Sequence, residues 1–107
     1  MDSATAEAES ADESLEFEAT AYCLKGLTAS GEPVREGIIA ADPRLLPLGT
    51  LVHIWAGKYT GSYKVLDTGR LIKGRRIDIY IPDWEQAIAF GRRSVKLKIL
   101  ARPSRAR

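Results

Sequence analysis

Three aspartates in this 107-residue chain stand where local chain geometry restricts their direction: Asp42, Asp67 and Asp78. Asp67 closes the run Tyr63-Lys64-Val65-Leu66 and precedes Thr68-Gly69, so it ends a strand at a turn. Gly69 is expected to permit a tight turn that brings backbone amides towards that carboxylate. Asp78 interrupts an isoleucine stripe, Ile77, Ile79 and Ile81, and must leave the core for a surface or groove. Asp42 precedes Pro43, which holds it extended. If the fold gathers these carboxyls, repulsion and desolvation raise at least one pKa above the ordinary ~3.9. One carboxyl then stays protonated and can donate, while another stays ionised. Acid–base chemistry on a sugar bond fits such a set. Asp-Thr-Gly and Asp-Pro are also ordinary turn formers, so the same residues fit a purely structural role.

Other chemistry finds little support in the residues. The carboxylates lack the spacing of a calcium loop and have no His/Cys cluster beside them, so neither a metal nor a cofactor is expected. His53 lies between Val52 and Ile54 within a strand and reads as a packed or surface residue rather than a base. Cys23, the sole cysteine, excludes an intrachain disulfide and reads as a small inert hydrophobe. Gly26, Gly31 and Gly37 are followed by no Gly-Lys-Ser/Thr and make no phosphate loop. Trp55, Tyr59, Tyr63 and Tyr80 are available to stack on sugar rings, or to serve as core and rim of a barrel.

The positioning elements are mostly strands. Alternation marks 17–23, 37–41, 51–55, 63–67, 76–81 and 94–100, with glycine-bearing turns between several of them. One helix is expected after Pro82, capped by Asp83, with Gln86 three residues later as in a capping box and Gly91 as its stop. Trp84, Ala87, Ile88 and Phe90 would form its apolar side. Short strands with one helix predict a mainly β protein, a small closed barrel. The composition, 45% hydrophobic, is that of a folded chain, and its length suits one domain. Residues 1–16, with six acids and no base, read as a disordered acidic tail or linker, 17–100 as the barrel and 101–107 as a basic tail. Removing those six acids from a +2 chain leaves a body at +8, which suits an anionic partner or simply a solvated surface. There is no apolar run long enough to span a bilayer and no signal-peptide pattern, so no stable membrane insertion is expected.

The motifs Thr20-Ala21-Tyr22, Thr28-Ala29-Ser30-Gly31, Ala40-Ala41-Asp42-Pro43, Leu46-Pro47-Leu48-Gly49-Thr50, Asp67-Thr68-Gly69 and Ile72-Lys73-Gly74-Arg75-Arg76-Ile77-Asp78-Ile79-Tyr80 occur in an order that resembles the 3D, or three-aspartate, domain. The likeness spans Ala19 to Leu100. That domain falls in the double-psi β-barrel group, with the membrane-bound lytic transglycosylase A family, Rpf-like stationary-phase transglycosylases and rare lipoprotein A. The resemblance implies a six-stranded double-psi barrel with one or two short helices and a groove across one face. It implies a peptidoglycan lytic transglycosylase that cleaves the β-1,4 bond between N-acetylmuramic acid and N-acetylglucosamine and leaves a 1,6-anhydro ring. By the same resemblance Asp78 is the acid and then the base, Asp67 stabilises charge and tunes the pKa, and Asp42 orients the site. Thr28, Lys73, Arg70 and Tyr80 are expected to contact glycan. Many 3D domains carry a second glycine where Arg70 stands; a cation there would narrow the groove or bind a lactyl or peptide carboxylate. Peptidoglycan strands are the expected partner, not nucleic acid. The chain is expected to be monomeric and to work in the bacterial cell envelope, with any signal or anchor supplied from outside these residues. Competing readings are a glycan-binding barrel that does not cut and a hydrolase that uses water.

Overall fold

The computed structural model describes residues 14–103. The acidic and basic tails expected at the two ends fall largely outside these residues. Six strands form: β1 (Leu15–Tyr22), β2 (Ile38–Ala41), β3 (Leu51–Trp55), β4 (Gly61–Asp67), β5 (Arg76–Tyr80) and β6 (Arg93–Ala101). They close into a barrel in the order β1-β5-β2-β4-β3-β6. β1 is parallel to β5 and β2 is parallel to β4; the remaining pairs are antiparallel. Only β3 and β4 are neighbours both in sequence and in the sheet, so nearly every rung joins distant parts of the chain. The expected mainly β barrel is the fold.

The strands begin and end close to where alternation placed them. β1 starts earlier than expected, because Leu15 and Glu16 pair with Leu97 and Lys96 of β6. Ala101 likewise still pairs with Leu51, so the barrel takes one residue from the expected basic tail.

The interior is filled by one side of each strand. Ile77 and Ile79 of β5 are fully buried. Ile77 lies in register with Ala19 on one side and Ala41 on the other. Small residues beside large ones let a short strand bury its isoleucines without overpacking. Phe17, Val52, Ile54, Val65, Val95 and Leu97 complete the core.

A short helix, α1 (Trp84–Phe90), covers part of β1 and leads into β6. Asp83 caps it: its Oδ1 accepts from the Gln86 amide at 3.0 Å. The expected capping box is only half formed, because Gln86 Oε1 accepts from the Tyr59 hydroxyl at 3.0 Å. Gly91, at φ +64°, stops the helix in a conformation that a side chain disfavours. The apolar side is narrower than expected. Ala87 and Phe90 are buried, whereas Trp84 and Ile88 stay exposed. A helix of seven residues offers one narrow stripe to the barrel, and two positions three apart fill it.

Ile77 is fully buried and paired with a neighbouring strand on each side. Ile77→Ala is expected to cost about 2–5 kcal/mol of unfolding free energy, read from urea denaturation. A loss below about 1 kcal/mol would show that β5 does not hold the core.

Candidate functional site

β5 lies between β1 and β2, and this arrangement assembles the site. Asp78 is in register with Thr20 on β1 and with Ala40 on β2. Ala40 is in turn in register with Asp67 on β4. Thr20, Asp78, Ala40 and Asp67 thus form one row across four strands. The last step depends on an irregularity. Ile39 pairs with Val65, but the next residue, Ala40, pairs with Asp67, so β4 carries an extra residue there. Such a bulge re-aims the side chain that follows it. Here it brings Asp67, rather than Leu66, into the row. The residue between the two acids is alanine, which puts only a methyl group between them.

The two carboxylates differ in their surroundings. Asp67 Oδ1 accepts from the Ala29 and Thr68 amides, both at 2.9 Å, and Oδ2 accepts from the Tyr22 hydroxyl at 3.4 Å. Asp78 receives one side-chain donor among the described residues, the Thr20 hydroxyl at 3.0 Å. Burial pushes the Asp78 carboxyl above its ordinary value; the Thr20 hydrogen bond and the Arg76 charge pull it down, and the Asp67 charge adds to the rise. One acid is well solvated by fixed amides. Its neighbour favours its proton.

Tyr22 joins them. Burial, followed by the charges of Asp67 and Asp78, pushes its phenol well above 10. It therefore stays protonated and donates. Its ring meets Tyr80 edge-on, with centroids 5.4 Å apart.

Asp42 does different work. It is 2% exposed and accepts four hydrogen bonds. Three come from Arg44, through its amide, Nε and Nη2, at 3.0–3.2 Å. The fourth comes from the Gly74 amide at 2.9 Å. The Arg44 side chain, with both amides, holds the Asp42 carboxyl far below the usual carboxylate range. This aspartate ties the turn after β2 to the connection between β4 and β5. It supports the site and does not share in the row of acids.

Gly69 matters for a different reason from the one expected. Its φ is not positive. An added Cβ would instead stand 2.8 Å from Ile72 Cγ1, so the glycine leaves room for a buried isoleucine. The amides that reach Asp67 come from Thr68 and from Ala29 on the 24–34 loop.

Of the expected glycan contacts, Arg70 and Lys73 are exposed on the connection between β4 and β5. Thr28 is not available: it is 6% exposed, and its hydroxyl bonds the Glu32 carbonyl and Ser30 Oγ, each at 2.8 Å. It shapes the turn that presents Ala29. Tyr80 is also 6% exposed, packed on Tyr22. It lines a separate cavity of about 410 Å³ with Tyr59 and Tyr63. Residue patterns gave no role to Thr20 or Tyr22. Their shared face on β1 was visible in the alternation, but the parallel pairing with β5 was not.

The fold and the row of acids define a small aspartate-bearing β-barrel. A family model described as 3D domain matches residues 37–101, and the chain belongs to the 3D domain family. Among curated proteins it is 38% identical over 87 residues to YabE of Bacillus subtilis, named for cell wall shaping, covering 76% of this chain and 21% of YabE. It is 33% identical over 99 residues to the cell wall-binding protein YocH of the same organism, covering 84% of this chain and 33% of YocH. The chain thus spans about a fifth to a third of these relatives. Among solved structures, Escherichia coli MltA with bound chitohexaose aligns with a TM-score of 0.60 at 19% identity, over 75% of this chain and 29% of MltA. The Clavibacter michiganensis expansin aligns at 0.63 and 16% identity, over 85% of this chain and 52% of the expansin. These two likenesses concern the fold.

Two predictions follow from the electrostatics. Asp78 has a raised folded pKa, so its ionisation opposes folding: the fold is favoured below the unfolded value of 3.8 and loses that advantage as pH rises through the folded pKa. Asp78→Asn should therefore raise Tm at pH 7, with the gain vanishing towards pH 3; a lower Tm at pH 7 would contradict the burial argument. Asp42 has the opposite sign. Its ionised form supports folding above 3.8, and the support is lost as pH falls through the depressed folded value. Asp42→Ala should lower Tm by several degrees at pH 7, and equal Tm values for variant and parent would remove its role as a staple.

Proposed function

We propose that this domain acts on the glycan strands of peptidoglycan as a lytic transglycosylase, with Asp78 as the acid–base residue. The observation that carries this reading is the contrast within the row. Asp78 is half-buried, with its pKa raised and one hydroxyl donor, and Asp67 is one strand beyond Ala40 with its own set of donors. The cell wall names of YabE and YocH, and the chitohexaose bound in the MltA structure, support glycan as the ligand class.

In this mechanism the protonated Asp78 gives its proton to the glycosidic oxygen as the bond to C1 of the muramic residue breaks. Positive charge at C1 is stabilised by Asp67. The C6 hydroxyl of the same sugar closes on C1, and its proton returns to Asp78. The acid is restored, no water is consumed and the product carries a 1,6-anhydro ring. General acid–base assistance of this kind is worth about 10²–10⁴ in rate. Asp42 keeps the connection before β5 in place. Arg70 and Lys73, both exposed, offer cations to the carboxylates that the strand carries. The place of action is the cell envelope, and the domain works as a monomer. Among the described residues no helix is long and apolar enough to cross a membrane.

A second reading is a barrel that grips glycan without cutting it. The name of YocH, a cell wall-binding protein, favours it.

Incubation of purified sacculi with the parent protein and with Asp78→Asn, followed by mass spectrometry of soluble products, separates the readings. Anhydro-muropeptides are expected from the parent and at least about 10²-fold fewer from Asp78→Asn. Release should fall as pH rises through the Asp78 pKa, because the proton donor is lost. Reducing ends in place of anhydro ends would indicate hydrolysis. Retention on sacculi with no soluble product would leave the binding module.

A further inference from the structure

α1 presents two large apolar side chains to solvent. Trp84 is 65% exposed and Ile88 is 58% exposed. They are four residues apart, so they stand one above the other on a single helix face. Isolated exposed apolar residues are common and carry no meaning. This pair differs in its setting. It forms one wall of a groove of about 360 Å³ whose other wall is β1, including Thr20, Tyr22 and Cys23. Thr20 is the residue that donates to Asp78, and Tyr22 donates to Asp67. Groove and acids therefore share two residues.

We propose that Trp84, flanked by Ile88, is a stacking platform for a pyranose ring of a glycan strand that lies along β1 and passes over Asp78. The ligand class follows from the exposed indole and from the groove's continuity with the row of acids. An indole face carries negative quadrupole potential and attracts the C–H bonds that cover one face of a pyranose ring. Thr20 and Tyr22 line this groove and give their hydroxyls to Asp78 and Asp67, so the groove runs on to the row of acids where the glycan bond would lie. The volume falls within the range of about 300–1,000 Å³ typical of small-ligand sites. Trp84 is a positioning residue: it holds a sugar away from the bond that breaks. This inference rests on the glycan reading above and adds a subsite to it.

The chain has two tryptophans, so a Trp55→Phe background leaves Trp84 as the single indole. Titration with a β-1,4-linked N-acetylglucosamine hexamer is expected to give a saturable change in its emission. Asp78→Asn in the same background should retain that change. Trp84→Ala, followed by calorimetry, should weaken binding roughly two- to tenfold, and Trp84→Phe should recover most of the loss. Since Trp84 is exposed, Tm should stay the same, which separates lost binding from lost fold. In cleavage of sacculi the Trp84→Ala effect should appear in KM more than in kcat. Two results would overturn the proposal. Hexamer binding by the parent with equal affinity in Trp84→Ala and a silent indole would remove Trp84 from the site and leave the glycan reading intact. No binding of hexamer or sacculi by the parent would remove both.

Discussion

The arrangement of this domain depends on a single extra residue in β4. The shift between Ile39–Val65 and Ala40–Asp67 places Asp67 in the row that already holds Thr20, Asp78 and Ala40. Without it Ala40 would face Leu66, whose side chain is buried. Strand side chains alternate strictly, so one residue of slip exchanges groove for core. The bulge is thus the point at which backbone hydrogen bonding decides whether two carboxylates meet. Ala40 completes the effect, since a larger side chain there would fill the space between them.

Around that row the three aspartates divide two kinds of work. Asp42 lies in a dense set of donors and is strongly biased towards its charged form. It contributes to folding by joining two connections. Asp78 has few donors and resists its charge. It detracts from folding at neutral pH, because its charged form is desolvated. The core of isoleucines and alanines beneath β5 makes that tolerable, because Asp78 is flanked by the fully buried Ile77 and Ile79. The 24–34 loop is also tied to the row, through the Ala29 amide on Asp67 and the Ser30 amide on the Leu66 carbonyl.

The same barrel underlies proteins of quite different description. The aligned solved structures include the lytic transglycosylase MltA and an expansin, at identities under 20%. A shared fold at that distance does not transfer activity, which resides in the side chains set on it. In this chain those side chains rest on local features: a bulged β4, an alanine between two acids, and an exposed indole beside β1.

Much of this was legible in the residues. Alternation located the strands to within a residue or two at most of their ends, Asp83 and Gly91 bounded the helix, and the isoleucine stripe placed Asp78 outside the core. Those features are local, set by backbone preferences over a few residues, and order of motifs sufficed to mark the 3D domain. What the residues left open involved partners far apart in the chain. That Thr20 would reach Asp78, 58 positions away, depended on parallel pairing between β1 and β5. That Asp42 would act as a staple, that Thr28 would spend its hydroxyl on its own turn, and that Trp84 would face solvent rather than core were likewise decided in the folded state. Period two tells which way a side chain points from its own strand; only closure of the barrel decides what stands opposite it.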